Sequence, residues 1–86
     1  MYRLSETLRA THSQDGAILL DIQRGRMFNL NPVGARILEL LKTGSAESAI
    51  ADEISREFEV AREIADQDTH EFIHALKEHR LIEELK

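Results

Sequence analysis

The 86-residue sequence contains no cysteine, which excludes both disulfide bonds and thiolate-held metal. It also lacks any apolar run approaching the about 20 residues that cross a bilayer, and nothing in it resembles a signal peptide. A cytoplasmic chain with no membrane partner is therefore the expectation. An excess of positive charge is missing too: 11 Lys and Arg stand against 16 Asp and Glu, for a formal net charge of -5. The acids crowd the C-terminal half, from Glu47 to Glu84. Affinity for nucleic acid rests on neutralising phosphates, so a nucleic-acid partner is disfavoured. Neither an internal repeat nor a low-complexity tract interrupts the chain. Residues 1–86 read as one domain, of a size that buries roughly 60–65% of its unfolded surface.

The most informative stretch runs from Asp15 to Leu41. Ile18, Leu19 and Leu20 follow the turn pair Asp15-Gly16, and Met27 to Leu30 follow Gln23-Arg24-Gly25-Arg26. Two short apolar runs joined by a glycine-bearing loop predict a β-hairpin. Gly25 suits a positive-φ loop position, where a Cβ would clash, and Arg24 and Arg26 are expected to flank the bend in water. In the first strand Ala17 and Leu19 point one way and Ile18 and Leu20 the other, which predicts cover on both faces. In the second, Phe28 and Leu30 share one face and Met27 and Asn29 the other, as in a half-buried edge strand. Asn31 as N-cap and Pro32 at the first helical position start a helix. Val33, Ile37, Leu38, Leu40 and Leu41 carry that helix to Lys42-Thr43-Gly44. Gly34 weakens it by about 1 kcal/mol relative to alanine, and is expected to permit close packing against the hairpin.

Upstream, residues 1–7 read as a loose N-terminal arm, with a first strand near Leu8 to His12. Downstream, Ser45 is placed to cap a second helix with an apolar stripe of Ala46, Ala49, Ile50, Ile54 and Phe58. A third helix is predicted from Val60 or Ala61 to about His79, with Ile64, Ala65, Phe72, Leu76 and a partly turned Ile73 on its apolar side. Leu81 and Ile82 then cover the end of the core. The fold class is α+β: a small three-stranded antiparallel sheet followed by a three-helix unit, resembling a winged helix with the wing placed first. Asp68 projects into the apolar stripe of the third helix. Either it pairs internally with Arg36, Arg26 or a backbone N–H, or it faces a groove and receives a ligand's N–H or cation.

These residues resemble the PqqD-like proteins, the recognition elements of pathways that modify ribosomally made peptides. The carriers are Leu19-Leu20-Asp21 with Arg24-Gly25-Arg26, Leu30-Asn31, Gly34-Ala35 entering Ile37 to Leu41, the late Asp68, Phe72 and Leu76, and the closing Leu81-Ile82-Glu83. Together they span roughly Leu8 to Glu83. The family usually has an aromatic pair where this chain has Met27-Phe28, and often a glycine where it has Arg80. The resemblance implies a non-catalytic module that captures the leader of a precursor peptide and presents it to a modifying enzyme or leader peptidase. It also implies that the leader adds as a strand beside the third strand, in a groove against the third helix. Strand addition is open to these residues on their own terms: an edge strand offers unpaired N–H and C=O groups, with side-chain pockets for selectivity. On that picture Arg26 to Leu30 supply the edge strand, with Met27, Phe28 and Asn29 lining one wall, and Asp68, Thr69, Phe72, Ile73 and Leu76 the other. Taken singly, each is better explained as core; the wall as a whole is the stronger expectation. The Pro-Glu pair and Cys-Asp-Gly of true PqqD chains are absent, and the turns look more like the stand-alone leader-binding proteins of lasso-peptide pathways. An unfilled edge strand can also pair with a second copy.

Two rival readings arise from the same residues. His70-Glu71-Phe72-Ile73-His74 matches the H-E-x-x-H pattern of zinc-dependent hydrolases. It lacks a third ligand, because Glu78 lies two turns from His70, about 12 Å along the axis, and His70 and His74 lie opposite Phe72, toward solvent. No cofactor is expected. A winged-helix DNA-binding protein shares the general plan, but every candidate recognition helix carries more acids than bases.

Overall fold

The computed structural model describes residues 2–84. Strands β2 (Leu8–Ser13), β3 (Gly16–Asp21) and β4 (Arg26–Leu30) form an antiparallel sheet in the order β2-β3-β4. Helices α1 (Pro32–Lys42), α2 (Glu47–Phe58) and α3 (Arg62–Glu78) follow. Residues 1–7 are not a loose arm among the described positions. Tyr2–Leu4 form a strand, β1, which pairs antiparallel with β5 (Ile82–Glu84), Leu4 lying opposite Ile82. The two ends of the chain are thus stitched together across the fold.

Ser13 pairs with Gly16, so Gln14-Asp15 rather than Asp15-Gly16 make the β2–β3 turn. Gly16 (φ 132°) sits under β4: a Cβ there would lie 1.8 Å from the Leu30 carbonyl oxygen. The β3–β4 loop ends at Gly25 with φ 66°, as its sequence position requires. Asn31 caps α1, its side chain accepting a 2.8 Å hydrogen bond from Gly34 N–H. Ser45 does not cap α2. The N-cap is Ala46, with no side-chain bond, and Ser45 Oγ lies 3.3 Å from Thr43 Oγ1 instead.

The sheet is covered on one face only. Leu19 and Ala17 pack inward onto Ile37, Leu38 and the rest of the core, whereas Ile18 and Leu20 remain 42% and 38% exposed. The expectation that β3 is covered on both sides is therefore wrong among the described residues, where the three helices lie on one side and nothing packs on the other. Two helical stripes are also rotated relative to their sequence patterns. In α2, Ile50, Ala51 and Ile54 are buried and Ala46 and Ala49 are exposed. In α3, Ala65, Thr69, Ile73 and Leu76 are buried while Ile64 is 52% exposed. Gly34 packs against α3, not the hairpin: a Cβ on it would lie 3.1 Å from Phe72 Cε1.

Candidate peptide-binding groove

Because β3 occupies one side of β4, the other side is a free edge among the described residues. Register decides which β4 side chains can reach α3. Arg26, Phe28 and Leu30 lie opposite the inward-facing Asp21, Leu19 and Ala17; Met27 and Asn29 lie opposite the outward-facing Leu20 and Ile18. Met27 (62% exposed) and Asn29 therefore point to the open face of the sheet and do not line a groove. They contribute backbone alone to the edge. Phe28 and Leu30 are half-buried on the face of the sheet that the helices cover, Phe28 beside His79 at the end of α3.

Helix α3 contributes differently from the sequence expectation. Thr69, Ile73 and Leu76 are 0%, 1% and 4% exposed and belong to the core, where they support the wall from behind. The accessible row is Asp68, Phe72, Ala75 and His79, spaced by four, three and four residues and so sharing one helical face. Asp68 is exposed and forms no ion pair among the described residues. Neither internal partner considered for it is free: Arg36 is held by Glu57 and Glu39, and Arg26 by Asp21. With Asn31, Val33, Gly34 and Phe72, Asp68 borders a depression of about 360 Å³ at the Leu30 end of β4.

The opposite end is bridged. Arg26 is half-buried rather than free in water; its Nη2 donates to Asp21 Oδ2 (2.9 Å) and to the His79 carbonyl oxygen (2.7 Å), and its Nη1 approaches His79 Nδ1 at 3.1 Å. His79 Nδ1 is then the acceptor and Nε2 carries the proton. The Phe28 and His79 rings meet at 5.0 Å, and the Arg26 guanidinium lies 5.3 Å from the Phe28 centroid. Asp21 is 1% exposed. The Arg26 guanidinium, and after it the N–H and side chain of Arg24, hold its carboxyl below the usual aspartate range against the opposing effect of burial. The sequence pattern gives His79 no role and marks Asp21 only among the residues that carry the family resemblance. The signals existed: Asp21 and Arg26 are opposite charges framing a four-residue loop, and His79 shares the helical row of Asp68 and Phe72.

The rival constellation disperses. His70 and His74 are exposed and face separate carboxylates, Glu47 at 3.2 Å and Glu78 at 3.0 Å. Among the described residues no three potential ligands converge, and no helix is long and apolar enough to cross a membrane. On α3, Glu63, Asp66, Asp68, Glu71 and Glu78 outnumber Arg62 and Lys77, a poor surface for phosphates.

Residues 16–82 match the family model described as coenzyme PQQ synthesis protein D (PqqD). No curated protein matches the chain. Two solved structures resemble it over nearly their full length. One, TbiB1 in complex with the TbiA(beta) leader peptide, is 33% identical, with 98% of both chains covered and a TM-score of 0.85. The other, a lasso peptide synthetase B1 complexed with the leader peptide, is 28% identical, with 96% of this chain and 98% of that chain covered and a TM-score of 0.85. Family match, helix and strand order, and open β4 edge agree: the chain belongs to the PqqD family.

Proposed function

We propose that this chain captures the leader segment of a ribosomally made precursor peptide by strand addition to β4, and presents it to a modifying enzyme or leader peptidase without catalysing a step itself. The observation that carries this reading is the unpaired β4 edge, with Phe28 and Leu30 on the face of the sheet that the helices cover. Main-chain N–H and C=O groups along β4 would supply affinity, and the depression beside Asp68 and Phe72 would select a side chain of the guest. The two similar structures, both complexes with a leader peptide, support a leader as the guest. The lasso-peptide context of the second favours a stand-alone partner of a separate leader peptidase, working in the cytoplasm where precursors are made.

The reading is tested by NMR titration of the labelled chain with a synthetic cognate leader. Shifts should concentrate on residues 26–30 and on the Asp68, Phe72, Ala75 and His79 row. Phe28→Ser and Phe72→Ser should each weaken binding about tenfold or more while the dispersed spectrum survives, since each removes an aromatic contact of the groove. Shifts confined to α2 would refute the assignment.

A further inference from the structure

Arg80 occupies a backbone position that disfavours it. The residue has φ 60°, and the bonds around it, from Leu81 N–H to Leu76 O (2.9 Å) and Arg80 N–H to Lys77 O (3.0 Å), are those of a Schellman cap closing α3. Glycine takes this left-handed position without penalty, whereas an L side chain there is strained. An arginine at such a site suggests a use for its side chain.

The surroundings indicate which use. Arg80 borders a cleft of about 470 Å³ between the β1–β2 connection and the α3–β5 connection. The other cations there are neutralised: Arg3 pairs with Glu83, and Lys77 lies 3.3 Å from Glu84 and 5.0 Å from the Tyr2 ring centroid. Arg80 is exposed and forms no ion pair or side-chain hydrogen bond among the described residues. Glu6, on the same cleft, makes no ion pair with it. Leu4, Leu81 and Ile82 give the cleft an apolar side, where a charged hydrogen bond is less screened than on open surface. Arg80 directly follows His79, whose carbonyl and ring hold the first residue of β4. A guest strand that runs along β4 and leaves the groove over the Arg26–His79 bridge therefore comes onto Arg80.

We propose that Arg80 and its cleft receive a carboxylate of the captured peptide, carried by an acidic side chain just beyond the segment that pairs with β4. This rests on the peptide-capture reading above. It makes the site a selector for leaders with an acid at that distance, in a chain whose net charge of -5 otherwise disfavours acidic guests.

The test is calorimetric titration of the wild-type chain, Arg80→Gly, Arg80→Gln and Glu6→Gln with a synthetic cognate leader, and with the same leader in which acids are replaced by amides. Arg80→Gly should melt roughly 4 °C higher, from relief of the left-handed strain, and yet bind the acidic leader about three- to tenfold more weakly at low salt. Arg80→Gln should lose the same affinity without the gain in melting temperature, and neither variant should distinguish the acidic from the amidated leader. Wild-type and Arg80→Gly chains binding the acidic leader equally well would overturn the inference and leave the peptide reading standing. So would matched stability losses in Glu6→Gln and Arg80→Gln at unchanged affinity, which would reveal an internal pair. A wild-type chain that binds no leader at all would overturn both.

Discussion

The Arg26 guanidinium bridges the buried Asp21 carboxylate, at 2.9 Å, and the His79 carbonyl, at 2.7 Å, so the first residue of the open edge strand is tied to both its sheet neighbour and the end of α3. Arg26 thereby sets the spacing between the two walls of the groove. Its side chain bridges the two walls at that end, beside the ring of Phe28.

Replacing Asp21 with Asn should therefore lower the melting temperature by several degrees and spread the NMR signals of residues 26–30, because a half-buried guanidinium loses its counter-charge. The pH dependence has a definite sign. The folded carboxyl titrates below its ordinary value of 3.8, so its stabilising contribution is complete above that value and disappears as pH falls through the depressed folded pKa. Thermal unfolding followed by circular dichroism from pH 7 to 2.5 should show a wild-type advantage over Asp21→Asn that is constant near neutrality and shrinks in acid. A gap that widens in acid would refute the assignment.

Gly34→Ala separates stability from binding. Alanine favours the helix by about 1 kcal/mol, but its Cβ would lie 3.1 Å from Phe72 Cε1, forcing the half-buried ring outward into the groove. Stability should change by less than about 1 kcal/mol, and leader affinity should fall severalfold. Denaturant melts and calorimetry on one preparation check both halves.

Thr69→Val tests the placement of Thr69 in the core. Its hydroxyl oxygen is buried with no hydrogen-bond partner, so an isosteric methyl should leave stability unchanged or raise it by up to about 1 kcal/mol. Leader affinity should not move. A loss of binding without loss of stability would return Thr69 to the peptide wall.

Much of the groove's framework was legible from local pattern. The β3–β4 hairpin and the start of α1 each depend on residues within a few positions of one another, as with Gly25 in its positive-φ turn and Asn31 bonding Gly34 N–H. The groove itself was half legible. Phe28, Leu30, Asp68 and Phe72 keep accessible surface and so remain candidates for its walls, but Met27 and Asn29 turn to the outer face, while Thr69, Ile73 and Leu76 sink into the core.

Sequence alone determined the order of the main strands and helices, the hairpin, the first helical cap and the absence of thiol chemistry, because these follow from short-range spacing and residue type. Tertiary structure decided which faces were covered. An alternating strand states that its two faces differ, or do not, but a second layer must come from elsewhere in the chain, and Ile18 and Leu20 have none. It also joined Tyr2–Leu4 to Ile82–Glu84, since strands of three residues carry almost no local signal and gain their hydrogen bonds only when the fold brings the two ends together. The buried Asp21 and the strained Arg80 belong to the same class: each is an ordinary polar residue in the sequence, and its meaning comes from neighbours supplied by the fold.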